Sequence, residues 1–383
     1  MSLSQGISSR KNLREKIEQE IRERGPIPFS RYMELCLYDA ELGYYSRHAE
    51  QFGKAGYFYT SSDVHAVFGR LLARQFEEMW RALGSPARIE IVELGPGRGL
   101  FARDVLDWSE KKFPEFFEAT RYLLLERSPA LQRRLQETLG RFLESGKACL
   151  ISMALVPEVP LIIFANEFFD ALPVEILSTN GELHIAAKNS RLVETWTPPS
   201  AEALEFLDRY SAHPEPGERL EVPLAAQSSM AEIVIAIPCG FVIAIDYGYT
   251  REEQLAGRHR GTLAAYRQHS VSTNPYEAPG EQDITAHVNF TALRAAAERG
   301  GMLVQSLLTQ SQFLLGIGEQ NQFADAFAEC RVSQERAKVA LQLKHLVTPA
   351  GMGEMFHVLV ASKGVDPAAI GKLSGLGFGK SER

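Results

Sequence analysis

Three closely spaced glycines between an apolar segment and an amphipathic one constrain the fold of this chain more than any other feature. Residues 88–94 (RIEIVEL) predict a buried strand, Gly95, Gly97 and Gly99 follow it, and residues 99–108 predict a helix. Glycines at a strand-to-helix turn let the backbone bend sharply and let a ligand come close to the main chain. The turn therefore predicts an α/β fold with a ligand site at the carboxyl edge of a parallel sheet.

The residues around this turn indicate the kind of ligand. Its spacing is G-x-G-x-G, not the G-x-G-x-x-G of dinucleotide-binding turns. Glu93 would repel a pyrophosphate but suits a cationic ligand such as S-adenosylmethionine (SAM), which carries an ammonium and a sulfonium group. Glu126 ends the next predicted strand, where a carboxylate can accept both hydroxyls of a ribose. A tight turn without a ligand, with Glu126 in solvent, is the structural alternative.

Strands and helices alternate along most of the sequence. Continuous apolar strands separated by helices are typical of a parallel sheet that is covered on both faces. The predicted strands are 88–94, 121–126, 148–151, 161–165, 240–246, 302–308 and 354–362. The predicted helices are 9–24, 29–38, 64–83, 99–108, 129–144, 290–299 and 322–342. We therefore predict a Rossmann-like sheet with a helical N-terminal extension and an insertion after the fourth strand.

These elements divide the chain into five segments. Residues 1–63 form a helical and loop segment that could cover the site as a lid, and residues 64–179 form the SAM-binding core. Residues 180–230 form a proline-containing insertion, for which we predict a hairpin plus a helix. Residues 231–364 complete the α/β core with acceptor-site loops, and residues 365–383 form a flexible tail.

Composition and charge argue against several classes of function. The net charge of −7 provides no basic field for a nucleic-acid partner. The four cysteines lie far apart without a Cys/His cluster, so we expect reduced thiols and no metal site. No stretch reaches the roughly 18 apolar residues of a membrane helix, and the polar N-terminus lacks the apolar core of a secretory signal. We therefore expect a cytoplasmic protein without membrane insertion.

A candidate catalytic loop follows the strand predicted at 161–165. Asn166, Glu167 and Asp170 would face the ligand crevice there. Methyl transfer is a direct displacement, so alignment and electrostatics are the main contributions of an enzyme. The two carboxylates could hold a guanidinium or an amine. A helix start, with Asn166 as its N-cap, is a structural reading compatible with this one.

Residues 279–290 form another candidate region. Asp283 is either an N-cap or a clamp on the substrate, and His287 could accept a proton. A lone histidine near a helix start is more often structural than catalytic, so that alternative stays open for His287.

These motifs, taken in order, resemble the MidA-type SAM-dependent methyltransferases, a family that includes a mitochondrial protein arginine methyltransferase of complex I assembly. The resemblance runs through nearly the whole chain. The matching segments are Gly25-Pro26-Ile27, Tyr32-Met33, Gly43-Tyr44-Tyr45, Phe52-Gly53, Gly56, Thr60-Ser61, Phe68-Gly69, 93–99, 166–173, 245–248, Gly261-Thr262-Leu263, Tyr266, 280–290, Thr309-Gln310 and Gln312-Phe313-Leu314.

The resemblance implies a class I SAM-methyltransferase fold and extends the site. It implies SAM at Gly95, Gly97, Gly99 and Glu126, and we add Thr60 and Ser61 to the cofactor-binding residues. It also implies that the methyl acceptor lies near Asn166, Glu167 and Asp170. A protein arginine, with a respiratory complex I subunit as the client, is the acceptor that it implies. A small-molecule methyltransferase and a non-catalytic assembly factor are the alternatives, and the glycine spacing argues against a nicotinamide-dependent oxidoreductase.

Overall fold

The structure is a computed structural model that describes residues 12–47, 66–152, 159–267, 270–272 and 274–378. The helices of these residues are Leu13–Arg24, Phe29–Tyr38, Tyr44–Arg47, Ala66–Ala82, Leu100–Lys112, Pro114–Ala119, Pro129–Glu144, Ala201–Tyr210, Leu224–Ala236, Arg251–Leu255, Phe290–Arg299, Gln310–Glu319, Ala324–Phe327, Ser333–Val347 and Pro367–Ile370, with a 3-10 turn at Ser374–Leu376. The strands are β1 (Ile27–Pro28), β2 (Ile89–Leu94), β3 (Thr120–Leu125), β4 (Ala148–Leu150), β5 (Leu161–Asn166), β6 (Glu175–Ser178), β7 (Gly181–Lys188), β8 (Arg191–Thr197), β9 (Leu220–Val222), β10 (Gly240–Tyr249), β11 (Ala264–Arg267), β12 (Ser270–Ser272), β13 (Asp283–Thr285), β14 (Val288–Asn289), β15 (Leu303–Val304), β16 (Leu308–Thr309) and β17 (Phe356–Lys363).

A mostly parallel sheet forms the centre of the protein. Its strand order is β15-β17-β10-β5-β2-β3-β4. The strands from β10 to β4 in this order run parallel, and β17 pairs antiparallel with β10. The predicted Rossmann-like sheet is therefore confirmed, and so are the strands predicted for β2, β3, β4, β5, β10 and β17.

The parallel register aligns the carboxyl ends of four strands. Leu94 on β2 pairs with Leu125 on β3 and with Ala165 on β5, and Asn166 pairs with Ile245 on β10. The chain runs from β2 to β3 and β4 on one side, and then places β5 on the other side of β2. Ligands of open α/β sheets bind in the crevice at such a switch in strand order. The residues that follow these four strands therefore meet at one crevice.

Apolar side chains cover both faces of this sheet. Every residue of β2 is buried, which is typical of a parallel strand between two helical layers. Helices Ala66–Ala82 and Leu100–Lys112 pack on one face, where the rings of Phe101 and Phe164 stack with their centroids 4.4 Å apart. Helices Leu224–Ala236 and Phe290–Arg299 contribute to the core on the other face.

The insertion builds a second sheet together with the N-terminal extension. β7 and β8 form the predicted hairpin, and helix Ala201–Tyr210 follows it. β7 also pairs with β6 and with β1, which belongs to the N-terminal extension. A shared core of apolar side chains joins this sheet to the helices of the extension. The N-terminal segment is thereby fixed beside the carboxyl edge of the central sheet, where Tyr38 donates a hydrogen bond to the carbonyl of Ala171.

Two predicted elements near the C-terminus are wrong in their extent. The strand predicted at 302–308 is two short strands, β15 and β16, which pair with different parts of β17. The helix predicted at 322–342 is two helices instead, because the Glu335 side chain accepts the N–H groups of Arg331 and Val332 and starts a new helix there.

Helix Gln310–Glu319 has no counterpart among the predicted elements. Thr309 and Gln312 form a capping box at its start. The pattern Thr-x-x-Gln before an apolar run is a known signal of a helix N-terminus, so this helix could have been found in the sequence.

The flexible tail predicted at 365–383 is wrong as far as residue 378, the last one that the structure describes. Ile370, Leu373 and Leu376 are buried in the main core. The N–H and hydroxyl groups of Ser374 both donate to the Glu78 carboxylate, at 2.8 and 2.7 Å. The burial of these apolar residues, which are spaced three apart, holds the short segment in place despite the glycines around them. Within the described residues, no helix combines the length and the apolarity needed to cross a bilayer.

Candidate active site

One cavity of about 370 Å³ opens at the carboxyl ends of β2, β3, β5 and β10. It brings together most of the residues predicted for the site within the described part of the chain. The predicted residues in its lining are Glu93, Gly95, Gly97, Glu126, Asn166, Glu167, Asp170, Asp283 and His287. Thr60 and Ser61 lie outside the described residues, so their role stays a prediction.

The glycine turn after β2 forms one wall of the cavity. Gly97 has a φ of 54°, and a Cβ atom placed on it would have no neighbour within 4 Å. A side chain at this position would therefore fill open space beside the cavity. Gly99 differs, because it does not line the cavity and its Cβ would lie 2.6 Å from the Leu135 side chain. Gly99 therefore allows the close packing of a helix, and its predicted part in cofactor binding stays a prediction.

Glu126 lies across from this turn at the end of β3. Its carboxylate accepts the N–H of Ser128 at 2.8 Å. Burial raises the pKa of Glu126 to about 7, while hydrogen bonds from the backbone of Ser128 and Gly97 oppose this rise. Ligand hydroxyl groups that donate to the carboxylate would favour its ionised form in the same way. This is the environment expected for a carboxylate that binds a ribose.

Glu93 is buried at the end of β2. It accepts a hydrogen bond from the Tyr122 hydroxyl at 2.8 Å, and burial raises its pKa to about 8. A buried carboxyl group with a raised pKa favours a positively charged ligand, whose charge offsets the cost of its ionisation. The open backbone at Gly97 and the carboxyl groups of Glu93 and Glu126 thus fit SAM, with its ribose and its cationic groups.

The candidate catalytic loop turns sharply after β5. Glu167 has a φ of 50°, which non-glycine residues rarely adopt and which costs on the order of 1–3 kcal/mol. Its N–H donates to the carbonyl of Ile245 at 2.9 Å, and the Asn166 amide donates to its carboxylate at 3.2 Å. The Oδ1 atoms of Asn166 and Asp170 are shielded from solvent and have no hydrogen-bond partner among the residues that the structure describes. Strain and unsatisfied acceptors at one turn indicate a functional site.

Asp170 and Asp283 form a pair of interacting acids at this end of the cavity. Both are buried, and the carbonyl of Asp170 accepts the N–H of Ala286, close to Asp283 in the chain. Burial, with the charge of Asp283 as a second cause, raises the pKa of Asp170 to about 7. Burial also raises the pKa of Asp283 to about 6, and the Tyr45 hydroxyl donates to it at 3.3 Å. A cationic group placed between these acids would stabilise their ionised forms.

His287 lies beside these acids in the cavity lining. Its Nδ1 atom is 3.3 Å from Nδ1 of His259, and its ring stacks on Tyr247. Burial, together with His259 and His357, lowers the pKa of His287 to about 4. The imidazole is therefore neutral near pH 7 and a weak base, so the role of His287 as a proton acceptor stays a prediction. Within the described residues, no three His, Cys, Asp or Glu side chains are grouped as metal ligands.

Several site residues are missing from the sequence predictions. Asp246 accepts three backbone N–H groups of the candidate catalytic loop. Tyr38 and Tyr45 bring aromatic rings into the cavity lining from the N-terminal segment. An acid inside a predicted parallel strand was a usable signal for Asp246, since polar residues near the carboxyl ends of such strands commonly belong to ligand sites.

A cavity at the switch point of such a sheet, with a ribose-type carboxylate facing an open glycine turn, is the cofactor site of class I SAM-dependent methyltransferases. The comparisons with known proteins agree with this class. The chain belongs to a family of S-adenosyl-L-methionine-dependent methyltransferases, whose model matches residues 71–307.

Known relatives span nearly the whole chain. The mitochondrial protein arginine methyltransferase NDUFAF7 homolog of Drosophila melanogaster is 29% identical, over 98% of this chain and 90% of that protein. The mitochondrial protein arginine methyltransferase NDUFAF7 of Danio rerio is 28% identical, over 91% and 86%. A COG1565 superfamily member from Burkholderia thailandensis, crystallised with S-adenosyl-homocysteine bound, is 28% identical and superposes with a TM-score of 0.78 over 94% of both chains. The resemblance drawn from the motifs is confirmed, and this protein is a SAM-dependent methyltransferase.

Proposed function

We propose that this methyltransferase transfers its methyl group to an arginine side chain of a partner protein. The observation that carries the proposal is the charge of the cavity beyond the glycine turn. The candidate catalytic loop and residues 283–287 contribute the carboxyl groups of Glu167, Asp170 and Asp283 to the lining, and no Arg or Lys. Two relatives that span most of the chain carry the name of protein arginine methyltransferases.

A guanidinium group suits this end of the cavity. It is always charged, presents five N–H donors and accepts no hydrogen bond. Carboxylates hold such a planar donor group in a fixed orientation, often through two parallel hydrogen bonds. The tyrosine rings of Tyr38, Tyr45 and Tyr247 complete the wall. Acids with raised pKa values, such as Asp170 and Asp283, then gain a counter-charge on substrate binding.

The side chains of this site have two tasks in the reaction. When bound, SAM supplies a methyl group that is activated by its sulfonium. The carboxylates near Glu167 orient one guanidinium nitrogen for in-line displacement, which is the main contribution that an enzyme can make to such a step. The guanidinium also loses one proton when its nitrogen is methylated. A carboxylate of this cluster, with a pKa raised toward neutrality, accepts that proton.

The identity of the partner protein is a second and more specific part of the proposal. We propose a subunit of respiratory complex I, as the resemblance to the MidA-type family implies. A small-molecule acceptor would use the same cofactor site, so only the identity of the methylated product separates the two activities.

The test is to incubate the purified protein with methyl-labelled SAM and separate acceptor preparations. These are isolated complex I subunits and a mixture of arginine-containing peptides. After acid hydrolysis, we expect the label in methylarginine. Asp170→Asn should lower the rate of transfer at least about tenfold, because it removes a charge that orients the acceptor.

A matched control is Glu78→Gln, which also neutralises a carboxyl group that accepts a backbone N–H, but one that contacts Ser374 and does not line the cavity. It should keep the wild-type rate. SAM binding without any labelled arginine would contradict the arginine acceptor and favour a small molecule. No SAM binding at all would favour the non-catalytic assembly role.

A further inference from the structure

We propose that Asp246 is a positioning residue for methyl transfer, and that it acts by holding Glu167 in its left-handed backbone conformation at the acceptor end of the cavity. Asp246 lies near the end of β10, is almost completely buried and does not line the cavity. It therefore acts through other residues and not on the substrate. The inference needs methyl transfer but not an arginine acceptor.

Most hydrogen bonds that Asp246 accepts come from the turn after β5. Its Oδ2 atom accepts the N–H groups of Phe168, Phe169 and Asp170, at 3.2, 2.9 and 3.2 Å. Its Oδ1 atom accepts the N–H of Tyr247 at 2.9 Å. Three successive N–H groups around one anionic oxygen form a concave anion site of the kind seen at helix starts. Here the anion is a side chain of the protein itself.

Glu167 is the residue immediately before these three donors. Its φ of 50° is a conformation that persists only when its surroundings enforce it. On its other side, the N–H of Glu167 donates to Ile245, the neighbour of Asp246 on β10. The turn is thus tied to β10 immediately before and after the strained position. Loss of the Asp246 carboxylate would remove the hydrogen bonds that hold the turn immediately after Glu167, and would thereby favour relaxation of Glu167 to a negative φ.

The side chain of Asp246 matches this task. An ionised carboxylate only accepts hydrogen bonds, so both oxygens can receive the four N–H groups. An amide would turn its own NH₂ group toward at least one of these donors. Burial and the neighbouring acids Asp170 and Glu167 raise the pKa of Asp246 well above its usual value, and the hydrogen bonds from the backbone of Asp170 and Phe169 act in the opposite direction by favouring the ionised form.

The experiment is a double-mutant cycle between Asp246→Ala and Glu167→Ala. With an acceptor that the wild type methylates, Asp246→Ala should lower kcat by about 100-fold, as misplacement of an orienting group does. SAM affinity, measured by calorimetry, should stay within about twofold, because its site is on β2 and β3. In the Glu167→Ala background, the same substitution should cost clearly less than in the wild type, because part of its effect passes through Glu167 and two residues that act as one unit are not additive.

The control for the cycle is Glu78→Ala, which removes a carboxylate that holds a different turn. Its effect on kcat should be small and the same in both backgrounds. Equal losses from Asp246→Ala in both backgrounds, or a parallel loss of SAM affinity, would overturn the proposal in favour of a general structural role. Asp246→Asn, which keeps one acceptor oxygen, takes the place of the alanine variant if that variant does not fold.

A second readout needs no acceptor. Crystal structures of the wild type and Asp246→Ala, both with S-adenosylhomocysteine, report the backbone of residue 167 directly. We expect a left-handed Glu167 in the wild type and a relaxed turn in the variant. A left-handed Glu167 in both would refute the proposal. Failure to find an arginine acceptor would leave this result unaffected, so the two proposals fail separately.

Discussion

Gly97 is the residue at which backbone conformation and ligand approach coincide. It has positive φ and lines the cavity with open space at its missing side chain. In Gly97→Val, a branched side chain would fill that space and strain the backbone by about 1–3 kcal/mol. We expect SAM affinity to fall at least about tenfold, measured by calorimetry on the folded variant.

Gly146 offers a control with the same strain and no cavity. It has a φ of 74°, open space at its missing side chain and no place in the cavity lining. Gly146→Val should therefore lose similar stability in urea unfolding but keep wild-type SAM affinity. Equal affinities for the two variants would mean that the cofactor does not approach Gly97.

Sequence spacing predicts some site residues and cannot predict others. Gly97 and Glu126 follow directly after apolar strands, so one short stretch is enough to place each of them. Asp246 is different, because its hydrogen-bond partner Phe169 lies 77 residues away and meets it only through the pairing of β5 with β10. Gly99 shows a further limit, since spacing alone does not separate ligand approach from packing against Leu135.

Among the elements, the C-terminal segment gives the sharpest test of the fold. Leu373 is 2% exposed and packs in the main core, although the surrounding glycines and lysines suggest a free tail. Leu373→Ala should destabilise the protein by about 2–5 kcal/mol, the usual cost of emptying a buried leucine site. The neighbouring Lys372 is exposed, and Lys372→Ala should change the unfolding free energy by less than about 0.5 kcal/mol. Similar urea midpoints for the two variants would contradict a packed tail.

The elements that the sequence predicts well are those with a strong local pattern. The strands β5 and β10 contain continuous apolar runs, and the burial of these runs follows from that pattern alone. Shorter strands such as β15 and β16 have two residues each and owe their state to pairing with β17. A pattern of neighbouring residues contains no information about pairing with a distant strand. The extent of β15 and β16 was therefore not predictable from the sequence.

At the scale of the whole molecule, two predictions remain untested by the fold. The cytoplasmic location expected from the sequence stays a prediction, and the relatives from Drosophila melanogaster and Danio rerio are named as mitochondrial proteins. The closing of the N-terminal segment as a lid also stays a prediction. The structure does fix part of that segment against the site, because the Tyr45 carbonyl accepts the Ser128 hydroxyl at 3.1 Å.

The buried acids of the cavity couple the stability of the whole protein to pH. Burial raises the pKa values of Glu93 to about 8 and of Glu126 and Asp170 to about 7, well above those of unfolded carboxyl groups. The folded protein then binds more protons than the unfolded chain. The folding stability that these groups contribute is therefore lost as pH rises through their folded pKa values. His287, whose folded pKa is lowered, acts in the opposite direction but only below about pH 6.5. From about pH 6.5 to 8, the ligand-free protein should therefore become less stable, by at most about 1.4 kcal/mol per pH unit for each group.

Urea unfolding at several pH values tests this coupling, and Glu93→Gln isolates one contribution to it. The amide that replaces the carboxyl group in this variant can still accept the Tyr122 hydroxyl but cannot ionise, so the fall in stability between pH 7 and 8 should become shallower. Glu90→Gln is the control, because Glu90 lies at the opposite end of β2 beside Arg121. It should keep the wild-type slope. Over the same range, SAM affinity should rise with pH in the wild type, since ionised carboxylates attract its cationic groups, and should rise less in Glu93→Gln. A stability that increases from pH 6.5 to 8 in the wild type would mean that the acids of the cavity are already ionised in the folded protein.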